Sequence, residues 1–140
     1  MDPFRLRIPR PISEELTAHA LKERPNECCG LLAGKVEGGV GEVRAIHPLV
    51  NELRSPTEFV SESRGLFAVM KAMRAAGTEL LAVYHSHPSS PPVPSRRDLE
   101  RNYSDRVMNL IVGLAGPVPE LRGWWLTAES YREAEWSIAE

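Results

Sequence analysis

Two histidines, His85 and His87, stand two residues apart in the stretch YHSHPSSPPVPSRRD, which ends on Ser95 and Asp98. Imidazole and carboxylate are side chains that hold borderline divalent metals. Alternate residues of an extended strand share a face, so His85 and His87 point the same way and can chelate one ion. Ser95 and Asp98 fall within one helical turn, and Ser-x-x-Asp also reads as an N-terminal capping box. Alone, each half reads as ordinary structure: a strand end with a solvated histidine, and a capped helix start. Together they read differently. The prolines of PSSPPVP restrict the connecting loop, and if that loop folds back, Asp98 reaches the ion held by the two histidines. Two imidazoles and one carboxylate leave a fourth position open, which is the pattern of a catalytic zinc. Zinc lowers the pKa of a water bound to it to about 7. Hydrolysis then needs a base and an oxyanion donor, and Ser95, at a helix N-terminus beside a ligand, suits the donor role.

These residues need elements to position them. PISEELTAHALKERPNE has helical spacing at Ile12, Leu16 and Ala20, with Ser13 as N-cap and Pro25 as terminator. CCGLLAGKV is a short buried strand, and GGVGEVRAIHPLV is its hairpin partner. NELRSPTEF reads as a loop leading into a short extended piece. SESRGLFAVMKAMRAAG predicts a second helix, with Leu66, Val69, Met70 and Met73 on one face and Gly77 as C-cap. TELLAVYHSH is a strand that runs into the histidines, SRRDLERNYSD starts a short third helix, and RVMNLIVGLAG is a hydrophobic strand. LRGWWLTAE and SYREAEWSIAE complete an antiparallel meander. The class is α/β in the α+β sense, with helices interrupting a mixed, mostly antiparallel sheet.

Composition sets bounds on function. A chain of 140 residues with 42% hydrophobic and 26% charged residues predicts one domain over 1–140. A net charge of −2 offers no basic field for nucleic acid. No apolar run reaches the length of a membrane span, and MDPFRLRIPR lacks a secretory core, so the expected location is the cytoplasm. Cys28 and Cys29 are adjacent, which excludes a disulfide framework and a four-cysteine zinc site. A cysteine hydrolase would need a histidine base beside them, whereas cysteines in an apolar strand are inert. The PCxxC signature of nucleoside deaminases is absent. His19 is expected to be solvated, and His47 to sit at a strand end. Trp124 and Trp125 place one ring on each sheet face; one belongs to the core, and the other offers a contact surface, for instance in a homodimer.

HSHPSSPPVPSRRD resembles the JAMM motif of the JAMM/MPN+ metalloproteases: His-x-His, seven residues, Ser, two residues, Asp. ECCGLLAG resembles the upstream glutamate context of that family and supplies Glu27. NELRSPTEF resembles the segment before the second helix in compact prokaryotic members. The resemblance spans almost the whole chain and implies the MPN, cytidine-deaminase-like α-β-α sandwich. It implies Zn²⁺ on His85, His87 and Asp98, with Glu27 shuttling a proton from water to the leaving amine and Ser95 stabilising the oxyanion. It further implies cleavage of peptide or isopeptide bonds after the C-terminal Gly-Gly of a ubiquitin-like or sulfur-carrier protein. Such a tail binds by β-augmentation, and NELRSPTEFVSE is the candidate for one wall of the groove. The short GLAGPVPELRG segment argues against a linkage-specific deubiquitinase. The alternative is a non-catalytic MPN scaffold or ubiquitin-like-binding module, but such domains usually lose one of the five positions kept here.

Overall fold

The computed structural model describes residues 2–140. In chain order they form β1 (Arg5–Pro9), α1 (Arg10–Glu23), β2 (Cys29–Glu37), β3 (Val40–Leu49), α2 (Ser63–Ala76), β4 (Glu79–His87), α3 (Arg96–Glu100), β5 (Met108–Gly113), β6 (Glu120–Leu126), β7 (Tyr131–Ala134) and β8 (Trp136–Ala139). The strands make one sheet in the order β7-β6-β5-β4-β2-β3-β1-β8. Four of its ladders are antiparallel and three are parallel, as expected of a mixed, mostly antiparallel sheet. β4 lies in the middle, antiparallel to β2 and parallel to β5. Among the described residues no helix is long and apolar enough to cross a membrane.

The outermost strands, β7 and β8, are separated in the chain by Glu135 alone. Flat strands at opposite ends of such a sheet would stand about 34 Å apart, far beyond the reach of one residue. The sheet therefore curls until its two edges meet at Glu135, whose carbonyl accepts a hydrogen bond from the Leu6 amide at 3.1 Å. This corrects the expected meander: SYREAEWSIAE breaks into two strands, and β8 pairs in parallel with β1. β1 itself was not anticipated, because RLRIP is short and ends on proline. Its alternation is nonetheless clear in space, with Leu6 and Ile8 fully buried and Arg5 and Arg7 exposed.

α1 begins earlier than expected. Pro9 occupies the N-cap position without a side-chain cap, and Ser13 lies inside the helix, donating its hydroxyl to the Arg10 carbonyl at 2.9 Å. α2 matches its reading: Gly77 caps it at φ 68°, a backbone conformation that favours glycine. α1 covers one sheet face with Leu16 and Ala20, over a core that includes Leu32, Tyr84, Leu110 and Trp125. α2 covers part of the other face through Leu66, Val69 and Met73. α3 and the loop before it cover the rest through Leu99 and Val93, packed on Ile111, Trp124 and Leu126.

Candidate functional site

Strand alternation decides where the chemistry lies. On β4, Tyr84 joins the core under α1, while Val83 and His85 face the α2 and α3 side. His85 sits opposite Cys29 of β2 and Ile111 of β5. His85 is 1% exposed and His87 4%.

The loop after β4 returns as the sequence required. Trp124 Nε1 donates to the Pro92 carbonyl at 2.9 Å, and Pro92 packs so closely on Gly113 that a Cβ there would lie 2.6 Å from its ring. Only glycine admits the loop at that point. Ser95 then caps α3 with a full capping box: its hydroxyl accepts from the Asp98 amide at 3.2 Å, and Asp98 Oδ2 accepts from the Ser95 amide at 2.8 Å.

This brings Asp98 to the histidines. His85 Nε2 and His87 Nε2 are 3.2 Å apart. Asp98 Oδ1 lies 3.2 Å from the first, and Oδ2 lies 3.2 Å from the second. These residues form a group that could hold a metal ion. The donor set fits one on two counts. A tetrahedral ion with bonds of about 2.0–2.1 Å keeps its ligand atoms about 3.3 Å apart, close to the spacings seen. The second count concerns lone pairs. His87 Nδ1 is 2.8 Å from the Pro91 carbonyl, which can only accept, so Nδ1 carries the proton. In a neutral imidazole that leaves the Nε2 lone pair facing the Asp98 carboxylate, so that either a second proton or a metal ion must lie between them. Without the ion, the same cluster shows up in the acid–base balance. Burial opposes charge on His87, but hydrogen bonds to Asp98 and Pro91 outweigh it and raise its pKa. Burial likewise opposes charge on Asp98, yet the two imidazoles hold it far below the usual carboxylate range.

Glu27 lies just before β2 and is 4% exposed. Burial, against a smaller opposing pull from His87, pushes its carboxyl up to about 8. Its Oε1 has no hydrogen-bond partner among the described residues. A cleft of about 570 Å³ is lined by Glu27, His87 and Ser95 together. Beside it runs an apolar cavity of about 310 Å³, walled by Phe59, Val60, Leu66, Met70 and Val83 and reaching His85 and Asp98. Glu58, in the segment between β3 and α2, holds its carboxylate 3.0 Å from Arg97 Nε of α3. Phe59 and Val60 of NELRSPTEFVSE thus wall this cavity. Among the described residues the outermost strands of the sheet are β7 and β8, whereas the histidine strand β4 is paired on both sides, by β2 and β5.

The remaining sequence expectations fare unevenly. Burial raises both cysteine thiols to about 12, which leaves no thiolate nucleophile. His19 is half-buried rather than solvated: its Nδ1 lies 2.8 Å from the Tyr84 hydroxyl, and burial lowers its pKa. His47 is half-buried near the end of β3. Trp124 and Trp125 do take opposite faces, but at 5% and 2% exposure neither offers a contact surface. Two polar residues were missed. Ser86, between the histidines, accepts from the Cys28 amide at 2.8 Å, and buried Asn51 makes four hydrogen bonds around Glu27 and the cavity wall. For Asn51 the one sequence signal was an amide residue closing an apolar strand, which predicts only a turn.

The family described as prokaryotic homologs of the JAB domain matches residues 9–127. A probable TtuB-protein conjugate cleaving protease of Thermus thermophilus is 42% identical over 96 residues, covering 68% of this chain and 62% of that protein. A CysO-cysteine peptidase of Mycobacterium bovis is 39% identical over 85 residues, covering 61% and 57%. The chain thus spans about three-fifths of the length of these curated relatives. The solution structure of protein DSY2949 from Desulfitobacterium hafniense superposes with a TM-score of 0.87 at 32% identity, covering 96% of this chain and 93% of that one.

Proposed function

The chain belongs to the family of prokaryotic homologs of the JAB domain, and on that premise we propose that it is a zinc-dependent hydrolase of peptide or isopeptide bonds, acting after the C-terminal Gly-Gly of a ubiquitin-like or sulfur-carrier protein. We read residues 1–140 as one such domain, working in the cytoplasm, where Cys28 and Cys29 stay reduced. The observation that carries this reading is the triangle of donors from His85, His87 and Asp98, each 3.2 Å from the next, opening on a cleft shared with Glu27 and Ser95.

His85, His87 and Asp98 hold the ion. When bound, zinc supplies Lewis acidity that makes water nucleophilic near neutral pH. Glu27 takes the proton from the attacking water and returns it to the leaving amine; burial keeps its proton affinity near neutrality, which suits a group that must both accept and donate. Ser95 stabilises the oxyanion. Its oxygen already accepts from the Asp98 amide, so the hydroxyl proton is left to point into the cleft. The apolar cavity suits the residues before the diglycine, and the cleft suits the glycines themselves. The wall along which the tail lies comes from residues 58–61 of the segment between β3 and α2 rather than from a sheet edge. The names of the Thermus and Mycobacterium relatives support a ubiquitin-like or carrier substrate. A non-catalytic scaffold finds no support in a site that retains all five chemical positions.

The test is to incubate the metal-loaded protein with a carrier protein extended past Gly-Gly and to follow the carrier mass. Trimming to Gly-Gly that disappears in Glu27→Gln is the expected result. Intact carriers across several sequences, with zinc present, would sink the reading.

A further inference from the structure

Glu27 presents a problem that its own side chain does not solve. A proton-transferring carboxylate must be held in place, yet Oε1 is buried without a hydrogen-bond partner. The hydrogen bonds by which the protein itself holds Glu27 are through the main chain, and there the contacts are dense. The Glu27 amide donates to the Ser55 carbonyl at 2.8 Å. The Glu27 carbonyl accepts from Asn51 Nδ2 at 3.0 Å. The next amide, of Cys28, donates to Ser86 Oγ at 2.8 Å.

Asn51 is the hub of this arrangement. It is 5% exposed. Its second Nδ2 proton goes to the Glu58 carbonyl at 3.1 Å, and its Oδ1 accepts from the Leu53 and Val60 amides at 3.1 and 3.2 Å. A side-chain amide offers two donors and two acceptor lone pairs, and all four are used. The two functions separate cleanly. The oxygen folds residues 53–60 back over the site, and the nitrogen ties that folded segment to Glu27. Because Ser55 lies within the same segment, both backbone bonds of Glu27 depend on this one side chain.

We infer that Asn51 is a positioning residue for Glu27: it locks the main chain on both sides of the base and so fixes where the unpartnered carboxylate points. This rests on the reading of Glu27 as the proton shuttle. Misplacement of a reacting group by about 1 Å costs on the order of 10² in rate, and that sets the scale of the expected loss.

Asn51→Asp isolates the donor. It keeps the oxygen that accepts from Leu53 and Val60 and removes the protons given to Glu27 and Glu58. In the variant, kcat for trimming the extended carrier falls about 10²-fold, while KM stays within about threefold and bound metal per chain is unchanged. In a Glu27→Asp background, whose shortened carboxylate is already misplaced, the same substitution has little further effect. A residue that only stabilises the fold would give equal losses in both backgrounds, and that additivity would overturn the inference. A second readout needs no turnover. Amide hydrogen exchange at Glu27 accelerates in Asn51→Asp, while exchange at Cys28, held by Ser86, does not. Unchanged protection at Glu27 overturns the clamp. If the wild type trims no carrier, the exchange result still decides the clamp, and the loss falls on the proposed activity instead. Should Asn51→Asp fail to fold, Asn51→Ala removes both donated bonds without adding charge, and the accepting oxygen with them; exchange at Glu27 and the pairing with Glu27→Asp are then read in the same way.

Discussion

The two faces of the sheet are closed to different degrees, and β4 serves both. Under α1 a continuous core runs from Phe4 through Leu16, Tyr84 and Trp125 to Ala134. On the other face the apolar residues split into two smaller clusters, one beneath α2 and one beneath α3 and the proline loop. The cavity runs from the cluster beneath α2 to Arg97 and Asp98 of α3, and the cleft is lined by Glu27, His87 and Ser95. One strand can serve both purposes because its side chains alternate. Tyr84 contributes a fully buried ring to the sealed face, and the next residue contributes an imidazole to the open one. Stability and chemistry are thus separated by a step of one residue, which implies that substitutions on the two faces should fail in different ways.

The sharpest test of that division lies on the open face. Replacing His85, His87 or Asp98 with Ala is expected to abolish stoichiometric zinc, read by metal analysis of the purified protein. Glu27→Gln should keep the zinc and lose about 10²–10⁴ in turnover, the range for a general base; full turnover in that variant would refute the assignment. The sealed face should behave oppositely. Leu16→Ala is expected to lower unfolding free energy by about 2–5 kcal/mol in denaturant melts, with zinc content and kcat retained below the transition. A loss of zinc at 25 °C in that variant would break the comparison. Ser95→Ala falls between the two faces in kind: about 10²–10³ less turnover, about 1 kcal/mol less stability from the lost cap, and zinc still bound.

How much of this could be read from the chain follows the range of each interaction. His85, His87, Ser95 and Asp98 lie within fourteen residues, and strand alternation plus a capping box orient them with no knowledge of the fold. Glu27 is different. Nothing local joins it to the histidines; β2 pairs with β4 in the register Cys29 to His85, and that long-range pairing is what brings it near. Only resemblance could supply it. β1 and β8 were not legible as partners, because each is short and their parallel pairing needs the sheet to curl first. Ser13 looked like a cap because serine favours that position, but the parallel pairing of β1 ends at Pro9 and starts the helix before Ser13 is reached. The roles of Asn51 and Ser86 depend on which carbonyls and amides the fold leaves near them, and a sequence carries no signal for that.

The smallest expected effect concerns pH and ties the open face to stability. In metal-free protein His87 is raised, so its favourable pairing is fully present below about pH 6.5, its unfolded value, and is lost as pH rises through the folded value. Glu27 is raised to about 8, so the folded state holds a proton that the unfolded chain has already released, and stability falls as pH climbs from about 4.5 toward 8. Asp98 is lowered; its contribution is present above about pH 3.9 and is lost only below that, so it stays constant across the neutral range. Metal-free protein therefore weakens between about pH 5.5 and about pH 8. Zinc binding runs the other way, because the imidazoles must be deprotonated to bind, so its affinity strengthens over the same range. The gap in Tm between zinc-loaded and metal-free protein should widen with pH, with each tenfold gain in affinity adding about 1.4 kcal/mol, or several degrees. Glu27→Gln should reduce the slope of the metal-free curve and leave the zinc-dependent part in place. A gap that stays flat or narrows toward pH 8, measured by calorimetry in matched buffers, would mean that the histidine and aspartate cluster does not hold the ion.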